Sequence, residues 1–340
     1  MFQKFDIAVL GATGVVGETI ISVLEEGAFP VGRLYPLASQ RSQGKTVVFK
    51  KKALLVEDAE YFDFSKVQIG LFSAGAKASA LYAPKAAAAG CVVIDNTSQF
   101  RLVEDIPLVI PEVNKERIED YRYQGIIANP NCSTIQMLVA LKPLYDVVGI
   151  TRINVATYQS VSGTGKAAIN ELISQVSELL NGRTPVPTIY PKQIAFNVLP
   201  QVDSFMENGY SREEMKMFWE TQKILQDPAI KVNATAVRVP VFYGHSLAIN
   251  LETRQKISVQ EARNVLYQSP GVIVMDHNEL GAYPTPIPEA GSTDAVYVGR
   301  IREDISHPLG LNLWVVSDNI RKGAALNAVQ IAEILVNSYL

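Results

Sequence analysis

The sequence predicts an α/β protein, with a doubly wound parallel sheet first and an α+β domain on a mixed sheet after it. Three observations predict this. Short β-branched runs alternate with helical patterns through the first third of the chain. A glycine-rich turn joins the first such strand to the first helix. From about residue 150 the strands lie farther apart and several alternate polar with apolar positions, as a sheet with one covered face requires.

In order, residues 5–10 read as a strand, 15–26 as a helix, and 34–38 and 68–72 as strands. The Ala-rich stretch 76–89 follows as a helix, then strands at 92–95 and 126–128. Strands alternating with helices imply parallel pairing with crossovers on both faces. In the second part, strands are expected at 153–158, 237–242, 247–253, 296–301 and 311–316, and helices at 165–180, 211–225 and 258–269. The Pro-rich stretches 184–191 and 284–288 read as loops. A last helix spans 322–339, and periodicity alone does not say which domain it joins.

The composition narrows the function. At 340 residues the chain is long enough for two domains. It has 31 basic and 34 acidic residues and a net charge of -3, which is no electrostatic footprint for nucleic acid or an anionic membrane. No apolar run approaches the roughly 20 residues that span a bilayer, and the N-terminus lacks the regions of a signal peptide. Two cysteines cannot make a disulfide framework. A cytoplasmic protein with a small-metabolite partner is expected. His245, His277 and His307 show no metal-ligand spacing, so no metal is expected.

Gly11-Ala12-Thr13-Gly14-Val15-Val16-Gly17 lies between a strand and a helix. There glycines let main-chain N–H groups approach a pyrophosphate at the positive end of the helix. An ordinary tight turn is the competing reading, because the spacing is G-x-x-G-x-x-G. The end of the second strand reads Ser39-Gln40-Arg41-Ser42. It lacks the acid that usually binds a ribose 2′-hydroxyl and offers a guanidinium flanked by hydroxyls, which suits a 2′-phosphate. A Rossmann-type domain holding NADPH or NADP is the expectation.

Cys132 stands in Asn129-Pro130-Asn131-Cys132-Ser133-Thr134, between a strand and the amphipathic run 135–144. At a helix start the dipole and the open N–H groups favour a thiolate and can stabilise an oxyanion on an acyl group. An ordinary N-cap with a core cysteine beside it is the competing reading. Cys91, between Gly90 and Val92, reads as that structural case. A thiol beside a nicotinamide suggests attack on an acyl phosphate, followed by hydride reduction of the thioester to an aldehyde.

Eight stretches in order then resemble the aspartate-semialdehyde dehydrogenase family over essentially the whole chain. They are GATGVVG (11–17), RSQG (41–44), FSAG (72–75), DNTSQFR (95–101), NPNCST (129–134), YQSVSGTGK (158–166), VRVPVFYGHS (237–246) and DNIRKGAALNAVQI (318–331). The resemblance implies that Cys132 is the nucleophile, that Gln159 orients the thioester, and that His245 is the general acid/base, a role an unperturbed pKa near 6.5 would suit. It implies that Arg238 grips the substrate α-carboxylate, that Arg101, Asn131 and Lys216 hold phosphate, and that Glu213 holds the ammonium. Glu213 and Lys216 share a charged helix with Arg212 and Glu214, so a solvated face competes with that role.

For the cofactor the resemblance implies Gly11, Thr13, Gly14, Val15 and Gly17 at the pyrophosphate, and Ser39, Arg41 and Ser42 at the 2′-phosphate. Ser73 and Ala74 would meet the ribose, and Ser162, Gly163, Gly165 and Asn319 the nicotinamide side. Domains at 1–130 with 318–340, and at 131–317, follow from it. So do a homodimer (or a tetramer) assembled through the second domain, and reduction of L-aspartyl-4-phosphate to L-aspartate 4-semialdehyde with release of phosphate, in the biosynthesis of lysine, threonine, methionine and isoleucine. The closest alternative is N-acetyl-γ-glutamyl-phosphate reductase, which usually has glycine before its cysteine. A catalytically silent homologue is another, and here Cys132, Gln159, Arg238 and His245 all being present argues against it.

Overall fold

A computed structural model describes residues 3–277 and 279–340. It divides into two compact units, one of Met1–Asn131 with Ala324–Leu340 and the other of Cys132–Gly323. Asp318 and Asn319 thus stay with the second unit.

The first unit contains β1 (Phe5–Leu10), α1 (Val15–Glu26), β2 (Val31–Ala38), β3 (Thr46–Phe49), β4 (Lys52–Leu55), β5 (Glu57–Asp58), β6 (Ile69–Phe72), α2 (Ala76–Ala88), β7 (Val92–Asp95), the short α3 (Pro111–Asn114) and β8 (Ile126–Ala128). The second contains α4 (Cys132–Val148), β9 (Ile150–Gln159), α5 (Lys166–Leu180), α6 (Arg212–Leu225), β10 (Lys231–Arg238), β11 (His245–Thr253), α7 (Val259–Tyr267), β12 (Val272–Val274), β13 (Val296–Glu303) and β14 (Gly310–Ser317). The chain returns to the first unit with α8 (Leu326–Ser338).

The first sheet has the order β5-β2-β1-β6-β7-β8, every pair parallel. Its central strands are largely apolar: β6 and β7 bury every residue, as strands covered on both faces must. One apolar core joins β1 and β6 to α1 and to Leu326, Val329, Ile331 and Leu335 of α8. Strand β2 starts at Val31, earlier than the expected 34, because Asp6 Oδ1 accepts the Arg33 N–H at 2.7 Å and carries the pairing past a register shift.

The second sheet has the order β10-β9-β11-β14-β13-β12 and is mixed; β9 pairs parallel with β10 and antiparallel with β11. Helices α4, α6 and α7 pack on it. Residues pointing the other way, Asn154, Asn250 and Asn312, stay half-buried, and Asn250 donates to Asn312 Oδ1 at 3.1 Å.

Two expectations are corrected here. The strand expected at 237–242 ends at Arg238, because Pro240 has no N–H for a ladder and 239–244 turn back to pair with the loop after β9. Instead β10 extends back to Lys231, its exposed Lys231, Asn233 and Thr235 alternating with more buried positions. The proline stretch 284–288 is not wholly irregular, since a wide helical turn forms at Pro286–Ala290. Along α5, Leu172 is buried against Val161, Ile194 and Leu199, and Ile169 and Val176 pack on the same cluster, while Ile173 is exposed.

Candidate active site

Within the first unit the glycine turn follows β1. Gly11 has φ +89°, and a Cβ there would meet Ser73 at 2.9 Å. A Cβ on Gly17 would lie 2.1 Å from the Gly11 carbonyl oxygen. Only glycine therefore allows α1 to start so close to the turn. Gly14 caps α1 without any side-chain hydrogen bond, and Val15 is its first residue, so the first main-chain N–H groups have no side-chain cap. The Ser73 N–H donates to Leu10 O at 2.8 Å, which sets Ser73 and Ala74 beside the turn. Ser39 and Arg41 are exposed after β2. Thr13 Oγ1 lies 3.4 Å from Ser42 Oγ, and Lys45 Nζ lies 3.5 Å from the same oxygen. Turn and strand end are thus brought together, with Lys45 as a second cation that the motif reading missed. This turn, open N–H groups and paired cations fit a dinucleotide.

Also in the first unit, Arg101 is buried and donates from Nε to the Asn129 carbonyl at 2.9 Å and from Nη2 to the Asn96 carbonyl at 3.0 Å. The segment before it is pinned by Asp95, whose carboxylate accepts from Ser79 Oγ at 2.7 Å and Thr97 Oγ1 at 2.8 Å. Burial pushes the Asp95 pKa up against those hydrogen bonds. Asn131 is buried at the end of the unit.

Within the second unit α4 begins at Cys132, so the thiol sits in the first turn of a 17-residue helix. A Cβ on Gly323 would lie 2.8 Å from the Cys132 Cβ, so glycine there is what lets the chain pass the cysteine. Cys91 is the contrast: buried, it has its thiol pushed up to about 12 by desolvation.

One residue beyond Cys132 a buried hydrogen-bond chain starts. Gln159 Nε2 donates to Ser133 Oγ at 3.0 Å and to Glu213 Oε1 at 3.2 Å. Glu213 Oε2 is paired with Lys216 Nζ at 3.1 Å, and Lys216 reaches Asp203 at 2.9 Å. Desolvation opposes the charge on Lys216, but Glu213 and Asp203 outweigh it and hold its pKa above the usual value. The competing charged-face reading is answered by Ser211 and Glu214, which form a capping box for α6, worth about 1 kcal/mol, while Glu213 points inward.

A second chain starts at Ser160, the next residue after Gln159. Arg238 Nη1 donates to the Ser160 carbonyl at 2.6 Å, and its guanidinium lies 6.0 Å from the Tyr190 ring centre. The Ser160 N–H donates to His245 Nδ1 at 3.1 Å. His245 Nε2 has no protein partner among the described residues. Gly163 keeps space open here: a Cβ on it would stand 3.2 Å from Arg238 Nη1 and 3.5 Å from His245 Nε2. Ser162 Oγ and Asn319 belong to the same cluster, and Gly165, with φ +100°, turns the chain into α5.

The pKa near 6.5 assumed for His245 does not hold. Complete burial first, and the Arg238 charge second, push it down to about 3, with Glu213 and a hydrogen bond to the Gly244 backbone opposing. The sequence reading gave Ser133 and Ser160 no role beyond their place in quoted stretches and did not single out Asp203 or Gly323, because their contacts come from distant parts of the chain.

A nucleotide-binding unit followed by a second unit that opens on a cysteine at a helix start has the parts of a dehydrogenase of nicotinamide-cofactor type. Residues 6–121 match the family profile "Semialdehyde dehydrogenase, NAD binding domain", and residues 141–322 match "Semialdehyde dehydrogenase, dimerisation domain". The aspartate-semialdehyde dehydrogenase of Shewanella violacea is 63% identical over 339 residues, covering 100% of both chains. Aspartate semialdehyde dehydrogenase II of Vibrio cholerae, crystallised in complex with ASA, superposes with a TM-score of 0.98 at 58% identity, covering 100% of both chains. The Candida albicans enzyme, crystallised with NADP, gives 0.77 at 26% identity, with 98% of each chain covered.

The chain belongs to the aspartate-semialdehyde dehydrogenase family.

Proposed function

We propose that the protein uses NADPH to reduce L-aspartyl-4-phosphate to L-aspartate 4-semialdehyde, reversibly, through a thioester on Cys132. The observation that carries this reading is the pair of buried chains beside the cysteine, Ser133–Gln159–Glu213–Lys216 and Arg238–Ser160–His245. They gather an anion-binding guanidinium, a carboxylate, an ammonium and an imidazole in one unit, a set that suits an amino acid carrying a phosphate. The substrate and cofactor of the Vibrio cholerae and Candida albicans relatives agree with it.

Cys132 attacks as the thiolate; the S–C bond forms, the acyl C–O bond breaks, and phosphate leaves with one proton from solvent. The positive end of the α4 dipole and the His245 Nε2 would stabilise the oxyanion that forms. Gln159 Nε2 is held by Ser133 and Glu213, which fixes the amide against the acyl group. Arg238 takes the α-carboxylate in a fork, Glu213 takes the ammonium, and Lys216, Arg101 and Asn131 take the phosphate. A nicotinamide cofactor, its pyrophosphate held by the glycine turn at 11–17, would when bound supply the hydride that reduces the thioester carbon. Collapse of the resulting oxyanion breaks the C–S bond and returns the Cys132 thiolate. We read the protein as a cytoplasmic homodimer, as the dimerisation profile supports.

The test is the reverse reaction, followed at the reduced-nicotinamide absorbance. NADP reduction specific to aspartate semialdehyde and dependent on phosphate is expected, and Cys132→Ser should lower kcat more than a thousandfold, roughly the scale of losing a nucleophile. Turnover with N-acetylglutamate semialdehyde instead, or comparable activity in Cys132→Ser, would sink the proposal.

A further inference from the structure

We propose that Asn319 is a positioning residue: together with Ser160 it holds His245 as the neutral tautomer whose only ring proton is on Nε2. The proposal rests on the reading of His245 as the group facing the reacting carbonyl oxygen.

The argument is one of donors and acceptors. The Gly244 N–H reaches Asn319 Oδ1 at 2.9 Å. A main-chain N–H only donates, so the oxygen end of the amide is identified by its partner. The same oxygen lies 3.0 Å from Ser160 Oγ and 3.3 Å from Ser162 Oγ, both of which can donate to it. Asn319 Nδ2 donates to Ser162 Oγ at 3.1 Å. Asn319, Ser160 and His245 are all buried, so these partners are not exchanged for water.

Next comes the ring. The Ser160 N–H donates to His245 Nδ1 at 3.1 Å, and Ser160 Oγ lies 3.1 Å from the same nitrogen. A ring nitrogen that accepts from an N–H carries no proton, so in the neutral ring the proton is on Nε2. Rotating the ring by half a turn would put a carbon against that N–H. Asn319 therefore ties down two things at once: the backbone immediately before His245, and the serine that reads its ring. Nothing else among the contacts described does both.

With its proton on Nε2, the ring is set to donate a hydrogen bond toward the site. The thiolate attacks and is later expelled as a thiolate, and the departing phosphate takes the one net proton. The Asn319 amide faces inward, toward Ser160, Ser162 and Gly244.

Ring nitrogen NMR on the 15N-labelled full chain tests the proposal. The chain has three histidines, and His245→Gln identifies the signal that belongs to this one. A single tautomer protonated on Nε2 is expected in the wild type at neutral pH. Asn319→Ala should average or mix the tautomers. It should also lower kcat about tenfold to a hundredfold, less than loss of an oxyanion donor itself, while the KM for NADP stays within about threefold. Asn319→Asp keeps the oxygen acceptor and should recover the single tautomer and most of kcat.

A proton on Nδ1, or an averaged ring, in the wild type would overturn the proposal. So would an Asn319→Ala protein with wild-type ring signals whose only defect is a raised KM for NADP. If Asn319→Ala does not fold, the wild-type and Asn319→Asp spectra decide by the same criterion. The ring is read without substrate, so a wrong substrate assignment leaves this result standing and shows only in the turnover assay.

Discussion

At the scale of single residues, burial changes the chemistry that residue type suggests. His245 is named by the VRVPVFYGHS stretch, yet its working state depends on Arg238, Ser160 and complete burial, none of which a linear motif displays. Its depressed pKa has a consequence for stability. In the unfolded chain the ring titrates near 6.5; in the folded protein it does so at about 3. The contribution is fully present above about pH 6.5 and is lost as pH falls toward 3, by about 1.4 kcal/mol per pH unit within that window. His245→Asn should therefore lose about 2 kcal/mol less than the wild type between pH 7 and pH 5 in urea unfolding. Parallel losses in the two proteins would show that the folded ring takes up its proton normally. Cys132 was legible by position, at the junction of a strand and an apolar helical run. Gly323 was not, since its role is the 2.8 Å that a Cβ would leave to the Cys132 Cβ.

At the scale of elements, what the sequence displayed was periodicity, and what it concealed was turn chemistry. Helix α1, strand β7 and strand β8 fall at the expected limits because apolar runs and glycine punctuation agree there. The β3–β4 hairpin was unread. Its two-residue turn uses Lys50 and Lys51 at φ 49° and 63°, where an Asn-Gly pair would have announced it. Strand β10 was placed too late because its polar first half hid a half-buried edge strand. The same hairpin region follows the loop carrying Arg41, Ser42 and Lys45, where the proposed NADPH reading puts the cofactor choice. Arg41→Ala and Lys45→Ala should each raise the KM for NADP about tenfold, the scale of one charge-assisted phosphate contact, while leaving NAD kinetics within twofold of the wild type. Equal losses for both cofactors would remove the 2′-phosphate from that loop.

At the scale of the whole molecule, the chain divides into two compact units that break at 131/132 and 323/324, not at the expected 130/131 and 317/318, with the family profiles falling on 6–121 and 141–322. Among the described residues no helix is long and apolar enough to cross a membrane. A six-stranded sheet with α4, α6 and α7 on it keeps Asn154, Asn250 and Asn312 half-buried on the other side, a polar face of the kind that can meet a second copy. Sedimentation velocity should give a dimer at micromolar concentration; a monomer at every dilution at which activity persists would contradict the homodimer reading.

The order of synthesis meets an obstacle in α8. Its Leu326, Val329, Ile331 and Leu335 belong to the same core as β1 and α1, yet a ribosome makes them only after residues 132–323. The half of the protein that emerges first is the half that must wait. Until those side chains arrive, the nascent nucleotide-binding half lacks four large apolar groups worth about 1.5–3 kcal/mol each, comparable to a domain's entire margin of stability of roughly 5–15 kcal/mol. The second unit, continuous in the chain from Cys132 to Gly323, faces no such delay.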